Sequence, residues 1–351
     1  MKKYLKKVFQ SITKKEIIFV LAVWAVVFLI TLMPIVYANF LAGTEKVFTG
    51  MTTFAGPDKM LYLSQIEQAR QGKLLFSNLY NTDFGSHEIF SPLRLSMGWL
   101  GKITGLSNLA VFQLFRILFS LVFLTLVYLF ISRIFIQVKW RKICLLMLCF
   151  SSGLGILTAF TLKSAEAVMK NGSTDLWVSE SNTFLSLSHS PLFIFSQIVI
   201  LFSFWWLVAR IKKAKLTEVI GISLLLLLLG LVHPFDLAII FSVAGVYCLF
   251  NIIKKNYHWP EALKLALIAA ISFQSITYFL LLKSYSPGFY QWLQHNFCLS
   301  PRLLNFIIGY GLILIFYIIG LWLNRRTKNA YVQLLIIWSV IGWLLIYLPF
   351  N

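Results

Sequence analysis

Residues 17–38 read IIFVLAVWAVVFLITLMPIVYA, without a single charged side chain. A helix rises 1.5 Å per residue, and about 20 apolar residues cross the ~30 Å hydrocarbon core of a bilayer. The stretch follows Lys2, Lys3, Lys6, Lys7, Lys14 and Lys15 and ends at Val36-Tyr37-Ala38, which has the look of a signal peptide with a cleavage site. A signal peptide's apolar region is only about 7–15 residues long, and this one is followed by many more apolar runs. It is therefore read as an uncleaved first transmembrane helix.

The rest of the chain has the same character. Of its 351 residues 59% are hydrophobic and only 12% charged, and the mean hydropathy is +0.81. Soluble domains are about 45–50% apolar and about 25% charged, so a soluble fold is excluded. Eight further segments have the length and composition of spans: 109–132, 143–162, 191–209, 217–232, 236–253, 261–282, 303–323 and 331–349. His233-Pro234 interrupts the apolar text between the fourth and fifth of these. Proline removes a backbone donor and constrains the residue before it, so a tight turn between two short spans is expected. The fold class is all-α, a polytopic transmembrane helical bundle of about nine spans forming one domain over 1–351.

Net charge is +19, from 31 Lys and Arg against 12 Asp and Glu. In a soluble chain this would suggest nucleic acid; here it reports orientation. With the N-terminus in the cytoplasm, 20 of the basic residues and three of the acids fall in short inner segments. Ten basic residues and nine acids fall outside, and Arg116 lies within a span. Short basic inner loops are the pattern that sets orientation. The expected localisation is a cell membrane, multi-pass, with a cytoplasmic N-terminus, and no nucleic-acid partner.

Polar chemistry then collects on the outer face, in loops 40–108, 163–190 and 283–302 and in the His233-Pro234-Phe235-Asp236 turn. The first loop is the longest, and long connections usually carry function or structure of their own. Met60, Leu61, Leu63, Ile66 and Ala69 recur at helical spacing after Gly56-Pro57-Asp58 until Gly72. Leu93, Leu95, Trp99, Leu100 and Ile103 form a second stripe after Ser91-Pro92. Two short amphipathic helices are expected there. The sequence has no Walker A loop, Gly-x-Gly-x-x-Gly, His-Glu-x-x-His or Gly-x-Ser-x-Gly motif. Cys144, Cys149 and Cys248 sit in apolar runs and Cys298 alone in a loop, which indicates neither a disulfide framework nor a zinc site.

One resemblance emerges from the outer loop. Asp58 near its start, Tyr62-Leu63, Gln68-Ala69-Arg70-Gln71-Gly72-Lys73, Asn78-Leu79-Tyr80, Pro92 and Phe112-Gln113-Leu114-Phe115-Arg116 follow the basic N-terminus and first span. This arrangement resembles the GT-C superfamily of polytopic glycosyltransferases, which use polyprenyl-phosphate sugars. The likeness is strongest over 15–135. It implies a transferase of the cell envelope that moves a sugar from a polyprenyl-phosphate donor in the bilayer to a glycan, lipid or protein acceptor at the outer face. In that superfamily an acid in the first outer loop serves or supports the catalytic base, and Asp58 is the matching position. Many members carry a second acid beside it; here Asp58 is followed by Lys59. Members generally continue beyond nine spans, whereas this chain stops at Leu348-Pro349-Phe350-Asn351, so a truncated or minimal member is expected.

Candidates for substrate binding are Glu180, His233, Asp236, Arg116 and Arg302. The leaving lipid phosphate gains charge and calls for Arg, Lys or a metal. No metal ligand set is assigned; a divalent ion held by the outer His and acids is the open cofactor reading, without spacing to support it. Each candidate also has a plainer role. Asp58 and Asp236 could cap the helices they begin, Glu180 and Asp175 could be solvated loop acids, and Arg116 could snorkel to the interface. His87, Glu88, His189 and His295 read as loop polars. The alternative function is a transporter or flippase of lipid-linked saccharides, which calls for charges at bilayer depth; a membrane scaffold would show no outer polar site.

Overall fold

The computed structural model describes residues 12–43, 48, 56–80, 89–162, 167–168, 171–295 and 300–347, with the side chains of 56, 57, 292 and 295 left aside. In chain order the helices are α1 (Lys14–Ala42), α2 (Gly56–Arg70), α3 (Pro92–Thr104), α4 (Asn108–Ile131), α5 (Val138–Phe150), α6 (Gly155–Ala159), α7 (Thr174–Trp177), α8 (Thr183–His189), α9 (Pro191–Arg210), α10 (Leu216–Val232), α11 (Phe235–Ile253), α12 (Trp259–Ser272), α13 (Gln274–Tyr285), α14 (Pro287–His295), α15 (Leu303–Asn324) and α16 (Ala330–Tyr347). Among the described residues the only strand-like pairing is an isolated bridge between Phe76 and Ile89. The chain is all-α, as the apolar periodicity predicts. The two short helices expected within 40–108 are present as α2 and α3.

Eight helical stretches among the described residues are long and apolar enough to span a bilayer. The ninth expected span, α10, has 17 residues and falls just short of that length. Three spans are less regular than the sequence suggests; one of them, α15, carries a non-helical Gly311 inside it. The segment expected at 143–162 is broken between α5 and α6, over Ser151-Ser152-Gly153-Leu154. The segment expected at 261–282 divides at Phe273 into α12 and α13.

The chain divides into two compact units interleaved along the sequence. The first takes 1–60, 112–198 and 301–325. In it α1 packs against α5 and α8, and α7 against α6 and α15. Glu16, Val20, Val23, Val27 and Thr31 form the buried seam of α1, three or four residues apart as one helix face requires. Ile18, Leu29 and Met33, on its other sides, are exposed. A helix apolar all round with only one stripe packed is suited to lipid rather than water. Thr13 and Glu16 close a capping box at its start, satisfying two otherwise orphaned backbone donors. Trp24 Nε1 donates to Ser120 Oγ at 3.0 Å and so ties α1 to α4.

The second unit takes 61–111, 199–300 and 326–351. Its centre is α10, packed on α12 and also touching α3, α11 and α13, with α11 against α16. Ser272 Oγ of α12 bonds the Ile268 carbonyl one turn back at 2.6 Å, which lets a hydroxyl sit in an apolar contact. Ala69 and Leu95 close with Phe76 into a small core between α2 and α3. Arg210 and Glu218 pair at 2.8 Å between the end of α9 and the start of α10.

Candidate functional site

The sequence-derived candidates fall in both units. Asp58, Arg116, Glu180 and Arg302 belong to the first unit, and His233 and Asp236 to the second. Asp58 is exposed in the first turn of α2, two residues inside the helix rather than at its cap. Glu180 is exposed in the turn after α7, and Arg302 is exposed immediately before α15. His87, Glu88 and Glu166 lie outside the described residues.

Arg116 does not snorkel. It is 2% exposed and sits within the first unit. Its Nε donates to Gln113 Oε1 at 2.7 Å, and its Nη1 donates to Thr31 Oγ1 and to the Leu187 carbonyl, both at 2.9 Å. Its Nη2 is buried with no hydrogen-bond partner among the described residues. A buried guanidinium donor without an acceptor is costly, and in a native fold such an atom calls for an explanation such as an ion or ligand.

Two further basic groups are sequestered near it. Lys59 is 6% exposed. Burial, reinforced by the Arg116 charge, pushes its ammonium down to about 8. His189, at the end of α8, is pushed down to about 3 by burial and then by Lys59, so it is neutral at pH 7. Its ring stacks on Phe193, centroids 5.3 Å apart. The cluster therefore joins an arginine, a lysine poised near neutrality and an uncharged imidazole. An incoming anion would relieve the mutual repulsion of the first two and give Nη2 its acceptor.

Sequence reasoning missed Lys59, which was counted only as a loop charge. The signal was present: Lys59 lies seven residues before Ile66, which is fully buried, so the two share one helix face. Asp58 is rotated by about 100° from Lys59 on the helix, which places the acid on the open side while the lysine turns inward.

In the second unit, His233 Nδ1 lies 3.0 Å from Asp236 Oδ2 across the turn joining α10 to α11, without hydrogen-bonding geometry. Asp236 occupies the first turn of α11, whose cap is Pro234. Asp175 is the other departure. Read as a solvated loop acid, it is 7% exposed and enclosed by hydroxyls. Among the described residues no three His, Cys, Asp or Glu side chains gather as metal ligands.

The spans and the lipid-compatible surface of α1 define the class: a polytopic, all-α membrane protein. No family model matches the chain, and neither a curated protein nor a solved structure matches it.

Proposed function

We propose that the chain is an integral-membrane glycosyltransferase that moves a sugar from a polyprenyl-phosphate donor to an acceptor at the outer face of the membrane. The observation that carries this reading is the cluster of buried Lys59 and Arg116 with half-buried His189, in which Arg116 Nη2 has no acceptor among the described residues, and whose Lys59 is one residue along the chain from Asp58. The sequence resemblance names the phosphate-bearing donor; the cluster supplies chemistry suited to its leaving group.

In this scheme Asp58 takes the proton from the acceptor hydroxyl. The acceptor oxygen bonds to the anomeric carbon as the bond from that carbon to the phosphate oxygen breaks. A single displacement inverts the anomeric configuration and needs one base rather than two flanking carboxylates. The departing polyprenyl phosphate gains negative charge, which Arg116 Nη2 and Lys59 receive. His189, neutral, adds a wall without a competing charge. The polyprenyl tail stays in the bilayer throughout.

The test is sugar transfer by the purified chain in lipid nanodiscs with a panel of polyprenyl-phosphate sugars. Transfer from at least one donor is expected, lost in Asp58→Asn and Lys59→Gln. Failure with every donor, or activity indifferent to both substitutions, would sink the proposal. One observation favours the second reading, transport of a lipid-linked saccharide: two spans, α5–α6 and α15, are interrupted, as in many transporters. Donor movement across sealed vesicles without transfer would decide for it.

A further inference from the structure

We propose that the meeting point of the two interrupted spans is a binding site for an alkali metal cation, organised around Asp175. The proposal does not rest on the transferase reading.

The local sequence makes both breaks. Between α5 and α6 the chain runs Ser151-Ser152-Gly153-Leu154, and α15 is broken at Gly311, whose φ of 47° and ψ of −126° suit glycine alone. The breaks pack on each other within the first unit. Leu154 N donates to the Ile308 carbonyl at 2.8 Å. Gly153 and Gly309 are in backbone contact, so closely that a Cβ on Gly153 would overlap the Gly309 carbonyl. Irregular backbone in spanning segments is tolerated only where it is buried in protein or lines a polar cavity, and such breaks free carbonyl oxygens.

Asp175 sits at this junction. Its carboxylate accepts from Ser173 Oγ at 2.6 Å, Ser152 Oγ at 3.1 Å and Gly155 N at 3.1 Å. All its donors are neutral. No cationic side chain pairs with it among the described residues. The elements packed against α7 add none: α6 has no titratable side chain, and α15 has only Tyr310 and Tyr317. A buried carboxylate without a counter-ion is costly, and neutral donors only partly offset that cost.

A second buried atom lies at the same junction. Thr174 is 3% exposed, its Oγ1 is buried without a partner among the described residues, and it faces Gly309 in the break of α15. The junction thus offers one carboxylate and the hydroxyl oxygens of Ser152, Ser173 and Thr174. Hard cations take oxygen ligands of this kind. A single carboxylate among neutral oxygens suits one positive charge, and divalent sites draw on more acids. A cation here would neutralise Asp175 and hold the two breaks together.

The experiment follows thermal unfolding of the full chain in detergent at constant ionic strength, in sodium, potassium and choline chloride. Sodium or potassium should raise the wild-type midpoint by about 2 °C or more over choline, because binding to the folded state alone stabilises it. Whichever ion gives the larger shift identifies the preferred occupant. Asp175→Asn should unfold at one midpoint in all three salts. If that variant does not fold, Thr174→Val, which keeps the acid and removes one ligand oxygen, should reduce the shift. Equal wild-type midpoints in the three salts would overturn the proposal, as would an undiminished shift in the folded variants.

Discussion

Two arginines in the same unit, Arg141 half-buried and Arg116 buried, have opposite surroundings. Arg141 Nη1 bonds Glu16 Oε1 at 3.0 Å, and that oxygen also accepts from Tyr128 OH at 2.8 Å. Glu16, 1% exposed, bonds back to Thr13 as well, so this knot is balanced in charge and joins α1, α4 and α5. Arg116, 2% exposed, has neutral acceptors, a lysine nearby and one donor without an acceptor among the described residues. The balanced group holds helices together and asks for nothing more. The unbalanced one is where an outside anion would contribute. The difference distinguishes a group whose charge is matched from one whose charge is not.

The strongest way to break this comparison is at the balanced knot. Glu16→Ala leaves Arg141 and Tyr128 without their acceptor and should lower stability by about 3–5 kcal/mol, the cost of removing one partner of a buried pair. Thermal unfolding in detergent measures it; a loss below ~1 kcal/mol would show that the knot is not structural. At the unbalanced cluster the order of effects should reverse. Lys59→Gln should cut sugar transfer about 100-fold, the usual scale for losing one charge-stabilising group, while leaving unfolding unchanged or slightly later. A large stability loss with transfer intact would place Lys59 with the scaffold.

A smaller effect belongs to the crossing of the broken spans. Gly153→Ala forces a methyl against the Gly309 carbonyl and should cost about 1–3 kcal/mol, as overpacking does. Gly221→Ala, which meets open space, is the control.

A separate effect is in pH. Lys59 titrates near 8 when folded against 10.5 when free. Between those values the unfolded chain holds the extra proton, so stability should rise with pH across that window. His189 is lowered from 6.5 to about 3, so by the same linkage stability should fall as pH drops below 6.5. Lys59→Met should abolish the alkaline rise and His189→Phe the corresponding part of the acid loss. A saturating phosphate ligand should flatten the alkaline rise in the wild type by keeping Lys59 charged.

Much of the fold was legible because its signals are local. The uncharged run at 17–38, the stripes of the outer-loop helices and the His233-Pro234 turn each lie within one stretch of chain. Lys59 was legible too, through its spacing from Ile66, but charge alone argued for solvent and hid it. The partners of Arg116 were not legible. Thr31 lies 85 residues away and Leu187 71, on helices whose facing sides no single-chain pattern reveals. Asp175 was misread for the same reason: Ser151-Ser152-Gly153 and Gly309-Tyr310-Gly311 each suggest a break, and nothing local says that the breaks meet around an acid.

The sequence by itself determined that this is an all-α chain of apolar spans, because membrane insertion sums over neighbouring residues and needs no distant contact. The tertiary structure alone decided which ionisable groups are buried and how they are matched. Burial and pairing depend on which helix faces which, and those contacts join residues far apart in the chain.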